Sequence, residues 1–253
     1  MKSVLEVRDL NKQFVKDDLG IVALRGLSLE IEEGRFVTVL GRSGCGKSTM
    51  LNVMSGLMPP TSGVVRFRDE PVTGPRTEVG YLTQSDTLMP WRDVRRNVEM
   101  PMEIKGIEAK ERREHAADLI ERVGLTGFER HYPRELSGGM RRRASLARML
   151  AGGPEVLLLD EPFGALDAQL RSVLQAELLR LWQGSGQTVV FVTHDIEEAL
   201  LLGDRIVVLG RIGRVVLDKA IDLPRPRDAD ELRVDPRFVA LHKEMADALR
   251  ETR

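Results

Sequence analysis

Cysteine is almost missing: Cys45 is the only one in 253 residues. A lone thiol excludes an intramolecular disulfide and suits a reducing compartment. An excess of charge of either sign is missing as well. Lys plus Arg number 38 against 39 Asp plus Glu, a formal net charge of −1. The chain as a whole therefore has no general electrostatic grip on nucleic acid or anionic lipid. Long hydrophobic runs are absent too. No window approaches about 18 uncharged apolar residues, and the greasiest stretches, "EVLLLDEPF" and "ALLLGDRIVVLG", are broken by Asp or Glu. The chain is expected not to span a membrane by itself, while docking on one stays open. The opening "MKSVLEVRDLNKQF" carries acids and no apolar core, so no secretion signal is expected.

What is present reads as an α/β protein. Short apolar runs recur at 36–40, 64–67, 79–82, 156–159, 189–193 and 205–209, several of them nearly continuous Val, Leu and Ile. That is the pattern of strands buried on both faces of a parallel sheet. Helical stretches are predicted near 47–57, 109–123, 141–151, 168–183 and 196–202, and this alternation argues for helices covering both sheet faces. The early segments "SVLEVRDL" and "LSLEI" alternate as antiparallel strands do. The stretch 86–150 lacks β-branched runs and is dense in charge, so it reads as a helical insert in one α/β core (about 1–85 and 151–223). After 223 the Pro- and charge-rich tail, 224–253, leads into an amphipathic helix with Phe238, Leu241, Met245 and Leu249 on one stripe. It either packs back on the core or meets a partner subunit.

Two motifs carry chemistry. "GRSGCGKST" (41–49) follows an apolar strand and opens a helix, the context a phosphate-binding loop requires. Gly41, Gly44 and Gly46 allow a tight loop, and the amides of Ser43, Gly44, Cys45, Gly46, Lys47, Ser48 and Thr49 can face a phosphate chain, helped by the helix dipole. Lys47 can reach the β and γ phosphates of ATP, and the Ser48 hydroxyl can hold Mg²⁺. For Cys45, a reactive thiol and a small side chain that simply fits both stand. In "VLLLDEP" (156–162), Asp160 at a strand end can hold the Mg²⁺ shell, and Glu161 can polarise a water attacking the γ phosphate. A third stretch, "LSGGMRRRA" (136–144), raises a question: nucleic-acid patch, phosphate site, or solvated helix start.

The phosphate loop, "LSGGM", "VLLLDEP", "GALD" and "VTH", in this order, resemble the nucleotide-binding subunit of ABC transporters, from about residue 4 to 222. The resemblance implies a P-loop NTPase (RecA-like) core with a small antiparallel β subdomain and an inserted helical subdomain. It implies an ATPase coupled to transmembrane solute transport, with ATP and Mg²⁺ as ligands. The signature Ser137, Gly138 and Gly139 would bind the γ phosphate held by a partner subunit in a head-to-tail dimer, a self or homologous copy, with the helix from 141 onward adding attraction. The arginines then look like helix-face residues near an anion, some pairing with acids, and no nucleic-acid partner is expected. Gln84 of "YLTQSD" matches the glutamine that approaches Mg²⁺ and the attacking water. His194 matches the histidine that contacts the γ phosphate and orients the water of Glu161. Asp167 of "GALD" matches the aspartate crossing the dimer interface, and Phe14 sits where an aromatic stacks on adenine. For His115, His131 and His242, exposed residues without a partner are expected. Met140 and Arg142 depart from the family's more usual glutamines, at positions that touch no phosphate.

"DTLMPWRDVRRNV" (86–98) resembles the importer branch for nitrate, sulfonates, taurine and other small anions. The resemblance implies that 86–103 receives a coupling helix from an integral membrane permease, with an extracytoplasmic solute-binding protein involved indirectly. The subunit would be peripheral, on the cytoplasmic side of the bacterial inner membrane. Trp91 is read either as an anchor for that helix or as packing within the insert. An ABC exporter or a non-transport ABC ATPase shares the engine and stands as the alternative. The spacing of 90 residues from Lys47 to Ser137 leaves no room for the long coiled coils of chromosome-maintenance ATPases.

Overall fold

The structure is a computed structural model, and it describes residues 2–16, 19–85, 87–164 and 166–251. The chain opens with β1 (Ser3–Lys16), β2 (Leu19–Glu32), β3 (Phe36–Gly41), α1 (Lys47–Met54), β4 (Ser62–Phe67), β5 (Glu70–Pro71) and β6 (Val79–Leu82). Next come α2 (Val94–Ile104), α3 (Ala109–Arg122), α4 (Gly138–Ala151), β7 (Val156–Asp160) and α5 (Ala168–Trp182). It ends with β8 (Thr188–Thr193), α6 (Ile196–Leu202), β9 (Arg205–Leu209), β10 (Val215–Ala220), α7 (Ala229–Leu232) and α8 (Pro236–Arg250). Two compact units form, one from 1–76, 158–161 and 186–253, the other from 77–157 and 162–185.

The first unit holds an antiparallel sheet in the order β2-β1-β4-β5. Its β4, which holds the 64–67 run, alternates half-buried and buried positions along that run, as a strand with one face on the core does. In the larger sheet, ordered β10-β9-β3-β8-β7-β6, β3 runs parallel to both β8 and β9, and β10 returns antiparallel. β3, β8 and the end of β7 are buried throughout, which explains their unbroken apolar sequences. α1 stops at Met54, short of the predicted 57, because Gly56 turns left-handed (φ 76°) where a Cβ would collide with the Gly74 carbonyl. α8 starts at an Asp235 cap with Pro236 in its first turn. Its Phe238 and Met245 are buried, Leu241 and Leu249 partly so, against Leu200, Ile206 and Val208. The tail therefore packs back on this unit.

The second unit is held by α2, α3 and α4 around Val98, Met102, Leu119, Ile120 and Ala147. α2 is capped by Asp93, whose carboxylate accepts the Arg96 amide at 2.7 Å, and it carries Pro101 within it. α4 begins at Gly138 rather than 141, because Ser137 caps it and accepts the Met140 amide at 3.3 Å. Among the described residues no helix is long and apolar enough to cross a membrane.

Candidate active site

The phosphate loop is shaped by steric necessity. β3 ends at Gly41, where a Cβ would lie 2.7 Å from Cys45 Sγ and 2.9 Å from the Leu209 carbonyl. Gly46 sits at φ 107°, and a Cβ there would come within 2.7 Å of the Ala23 carbonyl. Only glycine takes that backbone in that space. The turn delivers Lys47 as the first residue of α1, followed by Ser48 and Thr49, where helix amides lack intrahelical partners. Cys45 is buried, and burial pushes its thiol pKa up, with the Lys47 charge opposing. The small side chain that fits is thus the better reading of Cys45.

Lys47 is 5% exposed. Its ammonium donates to the carbonyls of Gly41 (2.7 Å) and Arg42 (3.1 Å) and lies 3.5 Å from Glu161 Oε1. Asp160 ends β7 as a buried carboxylate. Glu161 follows at φ 42°, with its amide donating to the Val192 carbonyl at 3.0 Å. A non-glycine residue in the left-handed region costs about 1–3 kcal/mol, a cost typically found at functional positions. His194 leaves the end of β8, where the Thr193 hydroxyl accepts the Asp195 amide at 3.0 Å. Its Nδ1 is 3.1 Å from Glu161 Oε2. An ionised carboxylate only accepts, so with Glu161 ionised Nδ1 carries the proton and a neutral ring keeps Nε2 as an acceptor. One lysine and one histidine thus flank one carboxylate at the mouth of the loop. Phe14, on β1, is 37% exposed, with the Lys12 ammonium 5.3 Å from its ring centroid.

Ser48 and Asp160 offer hard oxygen donors in this unit. Two such donors leave most positions of an octahedral Mg²⁺ to phosphate and water, which is how that ion usually binds. Among the described residues there is no cluster of three or more His, Cys, Asp and Glu that would make an all-protein cage.

In the second unit Gln84 is exposed just beyond β6. The arginines after the signature differ from the expected helix-face residues near an anion. Arg142 is 6% exposed; its Nε donates to the Pro162 carbonyl at 2.7 Å, and its Nη1 to the carbonyls of Thr83 and, at 3.5 Å, Gln84. Arg141 donates to the Leu136 carbonyl and Arg143 to the Gly124 carbonyl, at 2.7 and 2.9 Å. A Cβ on Gly139 would lie 2.4 Å from Leu170 Cδ2, whereas one on Gly138 would meet nothing nearer than Arg141 Nη2 at 3.8 Å. Asp167 caps α5, accepting the Leu170 amide at 3.0 Å. Position 165 of "GALD" lies outside the described residues, as does position 86 at the head of the 86–103 segment.

Trp91 is 70% exposed, which removes the reading in which it packs within the insert. Its loop is nevertheless pinned. The fully buried Asn97 accepts the Met89 amide at 2.7 Å and donates to the carbonyls of Met89, Arg92 and Asp93. His131 and His242 are half-buried beside Phe128 and Phe238, not exposed without a partner. Sequence reasoning also missed Val22, Arg211 and Ile212, which wall a cavity with Ser43, Gly44 and Cys45. Val22 lies far from the other two in the chain, and the three form no motif.

A buried parallel strand that runs through a glycine loop into a helix, with a strand-end Asp-Glu pair in the same unit, defines a P-loop NTPase. The chain belongs to the ABC transporter family, whose model matches residues 24–164. It is 47% identical to an uncharacterized ABC transporter ATP-binding protein of Methanocaldococcus jannaschii, over 99% of this chain and 93% of that one. It is 43% identical to a taurine import ATP-binding protein of Yersinia pestis, covering 89% and 91%. A nitrate import ATP-binding protein of Synechocystis is 41% identical, covering 97% and 95%. Among solved structures, a dimeric ATP-binding cassette in a post-hydrolysis state with ADP and Pi superimposes with a TM-score of 0.80 at 33% identity, covering 87% of this chain and all of that one. The protein is an ATP-binding subunit of this family, an ATPase whose hydrolysis is coupled to transport.

Proposed function

We propose that the protein powers a membrane importer of small organic or inorganic anions, of the sulfonate, taurine and nitrate type. The observation that carries the ATPase part is the meeting of Lys47, Glu161 and His194 at the phosphate loop. The import relatives, alike over about nine-tenths of their length, support the direction and the solute class.

In the reading we favour, Phe14 stacks on adenine and the amides from Ser43 to Thr49 cradle the phosphates. Lys47 shifts its ammonium from the loop carbonyls to the β and γ phosphates. Ser48, Asp160 and Gln84 would hold Mg²⁺, which when bound supplies charge neutralisation on the phosphate oxygens. Glu161 accepts the proton of the attacking water, and His194, carrying a proton on each ring nitrogen once nucleotide is bound, donates Nε2–H to a γ-phosphate oxygen while its Nδ1–H steadies the carboxylate. Ser137, Gly138, Gly139 and Asp167 serve a second copy's nucleotide in a head-to-tail dimer. The loose surroundings of Gly138 support this reading, since among the described residues no atom lies close enough to a Cβ there to require glycine.

The exposed Trp91, in a loop whose flanking residues are tied to Asn97, supports a docking role for the described part of 86–103 towards an integral membrane permease. The subunit would then sit peripherally on the cytoplasmic face of the bacterial inner membrane. A solute-binding protein outside would choose the solute. The test is affinity purification of Glu161→Gln protein with ATP from native membranes in mild detergent, followed by mass spectrometry. We expect a permease of roughly the size that several helices of about 20 residues each require, together with an exported solute-binding protein. Recovery of ribosomes or DNA-repair proteins alone would end the transport reading and leave the ATPase reading standing.

A further inference from the structure

Most arginines of the first unit answer to an acid. Arg205 grips Asp218 through Nε at 2.6 Å and Nη2 at 2.5 Å, Arg225 holds Asp204 at 2.8 Å, and Arg68 reaches Glu33 at 2.6 Å. Arg25 on β2, and Arg211 and Arg214 between β9 and β10, break this habit. Among the described residues none of their side chains has a hydrogen bond or ion pair, yet all three line one cavity with Val215, Val216 and a single acid, Glu251. Three guanidinium groups against one carboxylate leave two uncompensated positive charges around one concave wall. Guanidinium forks match the oxygens of tetrahedral anions, and the half-buried valines lower the screening by water.

The same turn also walls the nucleotide loop. Arg211 and Ile212 line the cavity that holds Ser43, Gly44 and Cys45, and the Gly213 amide donates to the Cys45 carbonyl at 2.8 Å. Ile212 stands at φ 52°, ψ 32°, a conformation that strains a β-branched residue. A strained turn shared by two cavities is suited to link them.

We propose that the cavity of Arg25, Arg211 and Arg214 binds a tetrahedral oxyanion of the phosphate or sulfate class, and that its occupation draws Arg211 from the phosphate loop and weakens nucleotide binding. The coupling half rests on the nucleotide reading of that loop; the binding half does not. Coupling between binding sites is reciprocal, so nucleotide must weaken the oxyanion by the same factor.

The experiment titrates sodium sulfate and inorganic phosphate into the full chain by calorimetry, with chloride holding ionic strength constant. Lys47→Ala protein, whose phosphate loop is disabled, is run alongside to keep that loop from posing as the new site. We expect saturable binding in both proteins, weakened tenfold or more (about 1.4 kcal/mol or above) by Arg25→Ala and by Arg214→Ala. Sulfate should raise the Kd for ATP roughly fivefold, and the two arginine variants should abolish that rise while keeping the ATPase rate measured without sulfate. Failure of nucleotide to bind at all would end the loop reading but leave the sulfate result interpretable. Sulfate binding that disappears in Lys47→Ala, or that survives loss of Arg25 and Arg214, overturns the site. An ATP affinity indifferent to bound sulfate overturns the coupling. A parallel arm uses phosphatidylcholine vesicles with and without phosphatidylglycerol. Retention on the anionic vesicles that needs Arg25 and Arg214, without saturable binding of free anion, assigns the oxyanion to a lipid headgroup; the reverse assigns it to solution.

Discussion

Gly46 and Gly138 both belong to loops that open helices and face phosphate in the proposed cycle, yet their surroundings are opposite. A Cβ on Gly46 would strike the Ala23 carbonyl and the Leu24 side chain at 2.7 Å, and its φ of 107° is closed to other residues. A Cβ on Gly138 would make only an ordinary contact, with Arg141 Nη2 at 3.8 Å. Around Gly46 the chain has already satisfied itself, with Lys47 bonded to loop carbonyls and Glu161 flanked on two sides. Beside Gly138, Ser137 caps the helix and Arg141 donates to the Leu136 carbonyl. One phosphate cradle is finished within a single chain. In the proposed cycle the other is a surface that a second molecule completes.

The largest effect that bears on this contrast is on chemistry. Glu161→Gln keeps the shape of the loop but removes the proton acceptor, so ATP turnover should fall roughly 10²- to 10⁴-fold while ATP still binds. The variant should then elute as a dimer with ATP and as a monomer without it. Full activity in this variant would remove Glu161 from the reaction. A dimer that forms equally well without nucleotide would remove phosphate from the second cradle.

Next in size is a matched pair of substitutions. Gly46→Ala forces a left-handed alanine against a backbone carbonyl, and about 1–3 kcal/mol or more of stability should be lost, read by urea unfolding. Gly138→Ala should stabilise the monomer by up to about 0.5–1 kcal/mol, as alanine generally does in helices, while ATPase activity falls at low protein concentration. If Gly138→Ala leaves activity at every concentration untouched, the loose surroundings of that glycine serve no partner.

Legibility in the sequence followed the same line. The loop around Gly46 was readable because its geometry demands particular residues at consecutive positions. The early antiparallel strands, the buried parallel strands and the tail stripe were readable from period and apolarity, for the physics is local. The start of α4 was placed three residues late, because the apolar periodicity begins after the Ser137 cap and two glycines that already turn as helix. Arg142 reads from the sequence as a helix-face residue near an anion, since nothing nearby in sequence reveals that it reaches the carbonyls of Thr83 and Pro162 from α4. Arg25 cannot be grouped with Arg211 and Arg214 from the sequence, because β2 and the turn between β9 and β10 belong to different sheets and share only a cavity wall in the fold.

Arg142 sharpens the comparison from the other side, because on the signature helix it is a charged side chain as enclosed as Lys47 of the phosphate loop. Arg142→Met fills similar volume but leaves buried carbonyls without their donor, at about 1–3 kcal/mol. Urea unfolding should report that loss, and turnover should fall through kcat with the ATP KM nearly unchanged, because the backbone at Gln84 loses its tether. Arg142→Gln, which can still donate, should recover part of both. Equal loss in the two variants would mean that side-chain volume matters here and hydrogen bonding does not.

The smallest effect belongs to Cys45, inside the finished cradle. Burial favours its neutral thiol and holds the folded pKa above the ordinary 9.0, against the pull of Lys47. The sign follows directly. This preference adds stability that is whole below the unfolded thiol's pKa and is lost as pH rises from there through the folded value. Iodoacetamide should therefore label the folded chain far more slowly than the urea-unfolded chain at neutral pH, with the gap narrowing only as the solution passes well into the alkaline range. ATP should slow labelling further, because the thiol lies under the loop amides that would face phosphate. Rapid labelling of the folded protein at neutral pH, indifferent to ATP, would show that this cradle opens on its own, and the contrast with the surface at Gly138 would then be one of degree.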